Sequence, residues 1–193
     1  MGFNKDETPE QVIGLTLPLD REAIKTLRAG MVCSLSGMLI TGRDAAHKRI
    51  YEALQNHDRL PVEIYGETIY YTGPCPAPPG RVIGSAGPTT SGRMDLYTPA
   101  LLSAGLAGMI GKGQRAPEVI KAIQDSAAVY FAAFGGAGAF LAGKIVRTEL
   151  AAYPELGPEA IYRLQVQDFP VIVAVDCMGG DLYREGPARY RLL

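Results

Sequence analysis

The sequence predicts an α/β domain built on a mixed, partly parallel sheet. Three observations carry this. Strand-like and helix-like segments alternate through the middle of the chain, the pattern of successive βα units. The two flanks are richer in strand-like runs, so the sheet is not parallel throughout. Many of the 23 glycines stand at the ends of expected strands, where backbone must come close to something else. With 193 residues, 47% of them hydrophobic and 20% charged, the chain can bury a real core, and residues 1–193 read as a single domain.

The elements follow in order. Val12–Leu17 is a strand. Met31–Thr41, MVCSLSGMLIT, is an apolar run broken by Ser-Gly and reads as two strands or one bent strand. From Arg43 to Gln55, Ala46, Ile50 and Leu54 recur every four residues and give a helix one covered face. Thr68–Thr72 is a short strand. Gly73–Gly80, GPCPAPPG, holds four prolines that remove backbone donors, so it is a rigid extended crossing. Val82–Ala86 is expected as a strand and Gly87–Asp95 as a loop. A helix is centred on Pro99–Ala104, with Thr98 as N-cap and proline at its first position. Ala107–Ile110 is a strand and Pro117–Ser126 a helix. Val129–Phe134 is a strand, Gly135–Gly143 a turn or short helix, and Lys144–Glu149 a strand. Leu164–Gln167 and Val171–Asp176 close the series as two strands, the second a continuous buried-type run.

Several function classes are disfavoured. The formal net charge of -1 carries no basic footprint for nucleic acid. The start, MGFNKDETPEQ, has no apolar signal core, and no apolar run reaches the roughly 18 residues of a membrane span, so a cytoplasmic protein is expected. The three cysteines, Cys33, Cys75 and Cys177, are far apart and form no CxxC or Cys/His cluster. They read as buried small side chains or inert thiols, and no metal ligand set is expected from this chain.

The chemistry concentrates in three cations that share one local context. Arg43 follows the strand ending MLIT and opens a helix. Arg93 follows VIGSA and precedes a helix. Lys112 follows AGMI, between two glycines and ahead of a helix. In open α/β sheets, ligands bind beyond the carboxyl ends of strands, where helix N-termini offer free N–H groups. A cation at that end opposes the usual helix-charge preference. One such residue is ordinarily solvated or paired with a surface carboxylate. Three at equivalent junctions fit a small ligand with more than one acidic group, gripped by two arginines and a lysine. The loop GPTTSGRMD adds the hydroxyls of Thr89, Thr90 and Ser91 just before Arg93. It is neither a Walker loop nor a dinucleotide GxGxxG. Such hydroxyls cradle anions or simply cap helices.

Six segments in order, TGRDAAH (41–47), YTGPCPA (71–77), GPTTSGRMD (87–95), GKG (111–113), GGAGA (135–139) and VQDFPVIVAVD (166–176), resemble one known family. Over nearly its whole length the chain is similar to the C-terminal domain of class I fumarate hydratases and to the beta subunit of two-subunit fumarases and L-tartrate dehydratases. Gly42 departs from the alanine expected there, and Cys75 and Cys177 fall at positions of variable type.

The resemblance implies a swivelling β/β/α domain. It implies a partner alpha subunit holding a 4Fe–4S cluster, an active site between the two subunits, and a higher oligomer of such pairs. It implies Arg43, Arg93 and Lys112 as carboxylate holders, Thr90 as a further substrate contact, and Thr89 at the position of the proposed base. A threonine hydroxyl needs a neighbouring base to activate it. Asp95 and a carboxylate of the partner are both open for that. The implied reaction is reversible hydration of fumarate to malate. Alternatives are dehydration of L-tartrate, or a noncatalytic anion-binding domain on the same fold. The loop GPTTSGRMD argues against an aconitase-like swivelling domain.

Overall fold

The structure is a computed structural model and describes residues 11–191. Its seven strands are β1 (Ile13–Leu17), β2 (Val32–Thr41), β3 (Thr68–Tyr70), β4 (Gly108–Gly111), β5 (Val129–Ala132), β6 (Ile145–Ala152) and β7 (Ile161–Val175). Six α-helices accompany them: α1 (Arg21–Thr26), α2 (Asp44–Gln55), α3 (Thr98–Ser103), α4 (Pro117–Asp125), α5 (Gly138–Ala142) and α6 (Leu182–Tyr190). All seven strands join one sheet in the order β1-β2-β3-β4-β5-β7-β6, and β2 also pairs with β7. That extra pairing closes β2, β3, β4, β5 and β7 into a barrel-like ring. Neighbours β1 through β5 run parallel, whereas β7 is antiparallel to β2, β5 and β6. The sheet is therefore mixed and partly parallel, as the sequence predicts.

Successive strand residues face opposite sides of a sheet, so the ring has two cores. Leu35 and Leu39, Tyr70, Ile110, Val129 and Phe131 pack with Leu164, Phe169 and Val173 of β7 on one side. Ile69, Tyr71, Met109 and Tyr130 face the other way, beneath Ala46 and Ile50 of α2, Leu101 of α3, and Val119 and Ile123 of α4. Helix α4 has the marks of a local start signal: Pro117 at its first turn, Glu118 beside it, and an apolar pair four residues apart.

Four expectations are corrected. Val82–Ala86 is not a strand. Its main chain turns back onto the proline crossing, with Cys75 N–H donating to Ser85 C=O at 2.9 Å and Gly84 N–H to Cys75 C=O at 3.1 Å. The crossing's prolines supply too few donors to extend this into a ladder. Consequently Arg93 does not stand directly after a strand but lies in a 3-10 helix, Ser91–Met94. Thr98 is not an N-cap. It is already helical, and its hydroxyl donates to Met94 C=O at 2.8 Å. The two expected strands at the end are one strand of 15 residues, β7. The apparent break is a bulge at Asp168, whose φ is 51° and whose N–H donates to Ser36 Oγ at 3.1 Å. Helices α1 and α6 were not expected; α6 contains Gly186 and Pro187, residue types that disfavour a helix interior. Among the described residues no helix is long and apolar enough to cross a membrane.

Candidate functional site

Parallel pairing sets the carboxyl ends of β2, β3, β4 and β5 side by side. Arg43 follows β2, the segment with Thr89, Thr90 and Arg93 follows β3, Lys112 follows β4, and Gly135 follows β5. One end of the sheet therefore carries every residue the sequence singled out.

The loop is built into the sheet itself. β3 and β4 are bonded up to Tyr71 N–H and Ile110 C=O, then part. Thr89–Ser91 enters the gap. Thr89 N–H donates to Tyr71 C=O at 2.7 Å, Lys112 N–H to Thr89 C=O at 3.2 Å, and Ser91 N–H to Lys112 C=O at 2.8 Å. Thr90 and Lys112 form a parallel bridge. Main chain alone thus fixes Thr89 and Thr90 beside Lys112. Gly111 is required here, because a Cβ would collide with the Ser91 hydroxyl. Gly113, at φ 84°, lets the chain turn away after Lys112. Its N–H donates to the Tyr183 hydroxyl at 2.9 Å and its C=O accepts from the Tyr130 hydroxyl at 2.8 Å, so both sides of the turn are held.

The two arginines meet through a carboxylate. Arg93 Nε donates to Asp44 Oδ1 at 2.9 Å, and its Nη2 lies 2.6 Å from Asp44 Oδ2. Arg43 Nε stands 3.8 Å from the same Asp44 Oδ2, while Arg43 Nη2 is 2.9 Å from Glu159 Oε1. Glu159 also accepts the Ala45 N–H at 2.9 Å, one of the free donors at the start of α2. A Cβ at Gly73 would stand 2.6 Å from Arg43 Nη1, so the glycine opens the space this guanidinium fills. Lys112 is half-buried, runs against Gly135, and joins no ion pair among the described residues.

The family called fumarase C-terminus matches residues 3–186. The chain belongs to that fumarase C-terminal family. It is 43% identical over 154 residues to the aerobic class I fumarate hydratase of Salmonella typhimurium, an alignment covering 79% of this chain and 27% of that protein. It is 38% identical over 175 residues to fumarate hydratase 2 of Leishmania major, covering 89% of this chain and 31% of that one. A protein of Methanocaldococcus jannaschii provisionally named L(+)-tartrate dehydratase subunit beta is 36% identical over 173 residues, covering 86% of this chain and 89% of that one. The chain therefore spans between a quarter and a third of the two fumarate hydratases, and most of the tartrate dehydratase subunit.

Within this fumarase C-terminal chain a buried cation supports the loop. The Arg115 side chain is fully buried, its Nε donating to Asp95 Oδ1 at 2.7 Å and its Nη2 to Thr98 Oγ1 at 2.8 Å. The guanidinium also lies 5.4 Å from the Tyr71 ring centroid and 4.9 Å from that of Tyr130. Burial works to lower its pKa, but Tyr71, Asp95 and Tyr130 outweigh burial and raise it. Asp95 Oδ2 accepts the Ala116 N–H at 2.7 Å. Both Asp95 oxygens are thus committed to fastening the loop to α4, and Asp95 is not the free neighbour that could activate Thr89.

Asp44, Glu159, Arg115 and His47 were not singled out as site residues from the sequence. Asp44 and His47 sit inside TGRDAAH and were within reach of that reading. Glu159 is 116 residues from Arg43 and carried no local signal. The donor set does not fit an iron–sulfur cluster: Cys33 is buried with its thiol pushed up to about 11 by desolvation, Cys75 is exposed, and Cys177 is half-buried in another part of the chain. No three His, Cys, Asp or Glu side chains group as metal ligands among the described residues.

Proposed function

We propose that this chain is the beta-type half of a hydro-lyase that interconverts fumarate and malate. In this reading it completes an active site with a partner half that carries a 4Fe–4S cluster, against which it swivels. The observation that carries the reading is the gathering of Arg43, Arg93, Lys112 and Thr89 at one sheet end in a chain of the fumarase C-terminal family. The arginines hold the substrate carboxylates by paired N–H bonds and Lys112 adds a point charge. Thr90, an exposed residue bridged to Lys112 through the main chain, is a further substrate contact in this reading. Thr89 handles the proton on the carbon next to the departing hydroxyl. Its activating base comes from the partner half, because Asp95 is committed to Arg115 and Ala116. A second reading, the beta half of an L-tartrate dehydratase, is favoured by the coverage of that relative along 89% of its length.

The test is anaerobic co-expression with a cluster-bearing partner half, measuring fumarate hydration and L-tartrate dehydration side by side. Arg43→Met or Arg93→Met in the assembled enzyme should raise KM strongly, since removing one side of a desolvated charge pair costs about 2–5 kcal/mol. A cluster-replete complex that turns over neither substrate overturns the reading.

A further inference from the structure

Tyr130 of β5 is fully buried, and its hydroxyl bridges two segments of the candidate site. It donates to Gly113 C=O at 2.8 Å and stands 2.9 Å from Ser91 Oγ. A phenol has one hydrogen, which goes to Gly113, so the equally buried Ser91 hydroxyl is the donor to Tyr130. Burial pushes the phenol well above its ordinary range, so it keeps that hydrogen. Ser91 ends the inserted segment that carries Thr89, and Gly113 follows Lys112. Main chain joins these two segments by only two bonds: Lys112 N–H to Thr89 C=O at 3.2 Å and Ser91 N–H to Lys112 C=O at 2.8 Å. The ladder then ends, because the chain turns away at Gly113 with φ 84°. Tyr130 adds a side-chain rung at that open end. It arrives from β5, beyond β4, and Gly111 of β4 leaves room for the Ser91 hydroxyl it meets.

We propose that Tyr130 is a positioning residue: its hydroxyl latches the Thr89–Ser91 segment to the Lys112 turn and so fixes the Thr89 hydroxyl relative to the lysine charge. The inference rests on the hydro-lyase reading for what Thr89 does. Without the phenol oxygen, the Ser91 hydroxyl and Gly113 C=O are buried with no partner there, and the short ladder can part from its open end. A reacting group displaced by about 1 Å costs about 10²-fold in rate. Arg43 and Arg93 are oriented by Asp44 and Glu159, which the latch does not touch, so ground-state binding persists and the loss falls on kcat.

Tyr130→Phe, which removes one oxygen, tests it. In the complex with the cluster-bearing half, kcat should fall by about tenfold to a hundredfold, with KM changed by less than about threefold. In a Thr89→Val background the same substitution should change kcat by less than about twofold, because no hydroxyl remains to be positioned. A merely damaged fold would lower kcat by the same factor in both backgrounds. In the full chain alone, with neither partner nor substrate, amide exchange at Ser91 and Lys112 should quicken by about fivefold or more, and by more than at Met109 and Ile110. Native kcat in Tyr130→Phe, an equal loss in both backgrounds, or unchanged exchange overturns the proposal while the native complex still turns over. Near-normal kcat in Thr89→Val does the same. A native complex that turns over neither substrate sinks the hydro-lyase reading, and the positioning role with it, whatever the exchange shows.

Discussion

His47 makes the stability of this chain depend on pH in a way that can be worked out beforehand. Its ring is fully buried, with Nδ1 3.0 Å from Arg43 C=O and its edge against Tyr71, 5.1 Å between centroids. A carbonyl only accepts, so Nδ1 carries the hydrogen, and Nε2 is left without a partner. Burial is the main cause that pushes the imidazole down from 6.5 to about 4; nearby Arg115 acts in the same sense, while the Arg43 carbonyl and Asp44 resist. Above pH 6.5 the ring is neutral in both folded and unfolded chains, and stability is fully present. Below it the unfolded chain takes up a proton that the folded chain refuses until about pH 4. Stability therefore falls with pH across that window, approaching about 1.4 kcal/mol per unit, with about 2 kcal/mol lost by pH 5. Urea unfolding at pH 7.5 and at pH 5 reads this as a midpoint lower by about 1 M for a slope near 2 kcal/mol/M. His47→Gln can still donate to the Arg43 carbonyl and has no proton to gain. Whatever its stability at neutral pH, its fall between the two pH values should be smaller by about that 2 kcal/mol. Superimposable pH dependences for the native and His47→Gln chains would refute the reasoning.

Outcomes are also expected for Arg115, Thr89 and Thr90. Arg115→Met should destabilise the chain by about 3–5 kcal/mol in denaturant unfolding, since it leaves Asp95 in place without its cation. Arg115→Lys should not rescue it, because a point charge cannot reach Asp95, Thr98 and the two tyrosine rings in one geometry. Thr89→Val in the assembled enzyme should lower kcat by about 10²–10⁴-fold with KM nearly unchanged, the mark of a group acting only in the transition state. Thr90→Val, one residue along, should change kcat much less; near-normal kcat in Thr89→Val passes the proton to a residue of the partner half.

What was legible in the sequence depended on whether the signal was local. Helix α4 announced itself through Pro117 at its start, and strands β3, β4 and β5 through short apolar runs. The reading of Val82–Ala86 failed because an apolar run next to a proline crossing satisfies its backbone on that crossing and not on the sheet. The split of β7 failed for the opposite reason. The gap left between Gln167 and Val171 is no break, because a bulge at Asp168 absorbs one left-handed residue without ending the strand. Closure of the ring could not be read at all. It rests on β2 pairing with β7, about 130 residues away in sequence, and no local pattern encodes a partner at that distance.

The site divides along the same line. Arg43, Arg93 and Lys112 were visible because each was expected at a strand-to-helix junction, which ordinarily lacks a cation. The reasoning then required an outside anion to neutralise all three, and for two of them the structure supplies the anion from within: Asp44 for Arg93 and, with Glu159, for Arg43. This alters what binding demands under the proposed function. A dicarboxylate does not fall into an empty trap; it must take the place of carboxylates already held. The native pairs keep both guanidiniums oriented before substrate arrives, which lowers the ordering cost of binding, but exchange sets a ceiling on the affinity gained per arginine. Lys112 differs, since no carboxylate pairs with it among the described residues and its neighbour Thr89 is fixed to it by main-chain bonds. The unpaired lysine is thus the charge an approaching anion meets uncancelled, beside the hydroxyl assigned to the chemistry. The arginines then fix its orientation once Asp44 has given way.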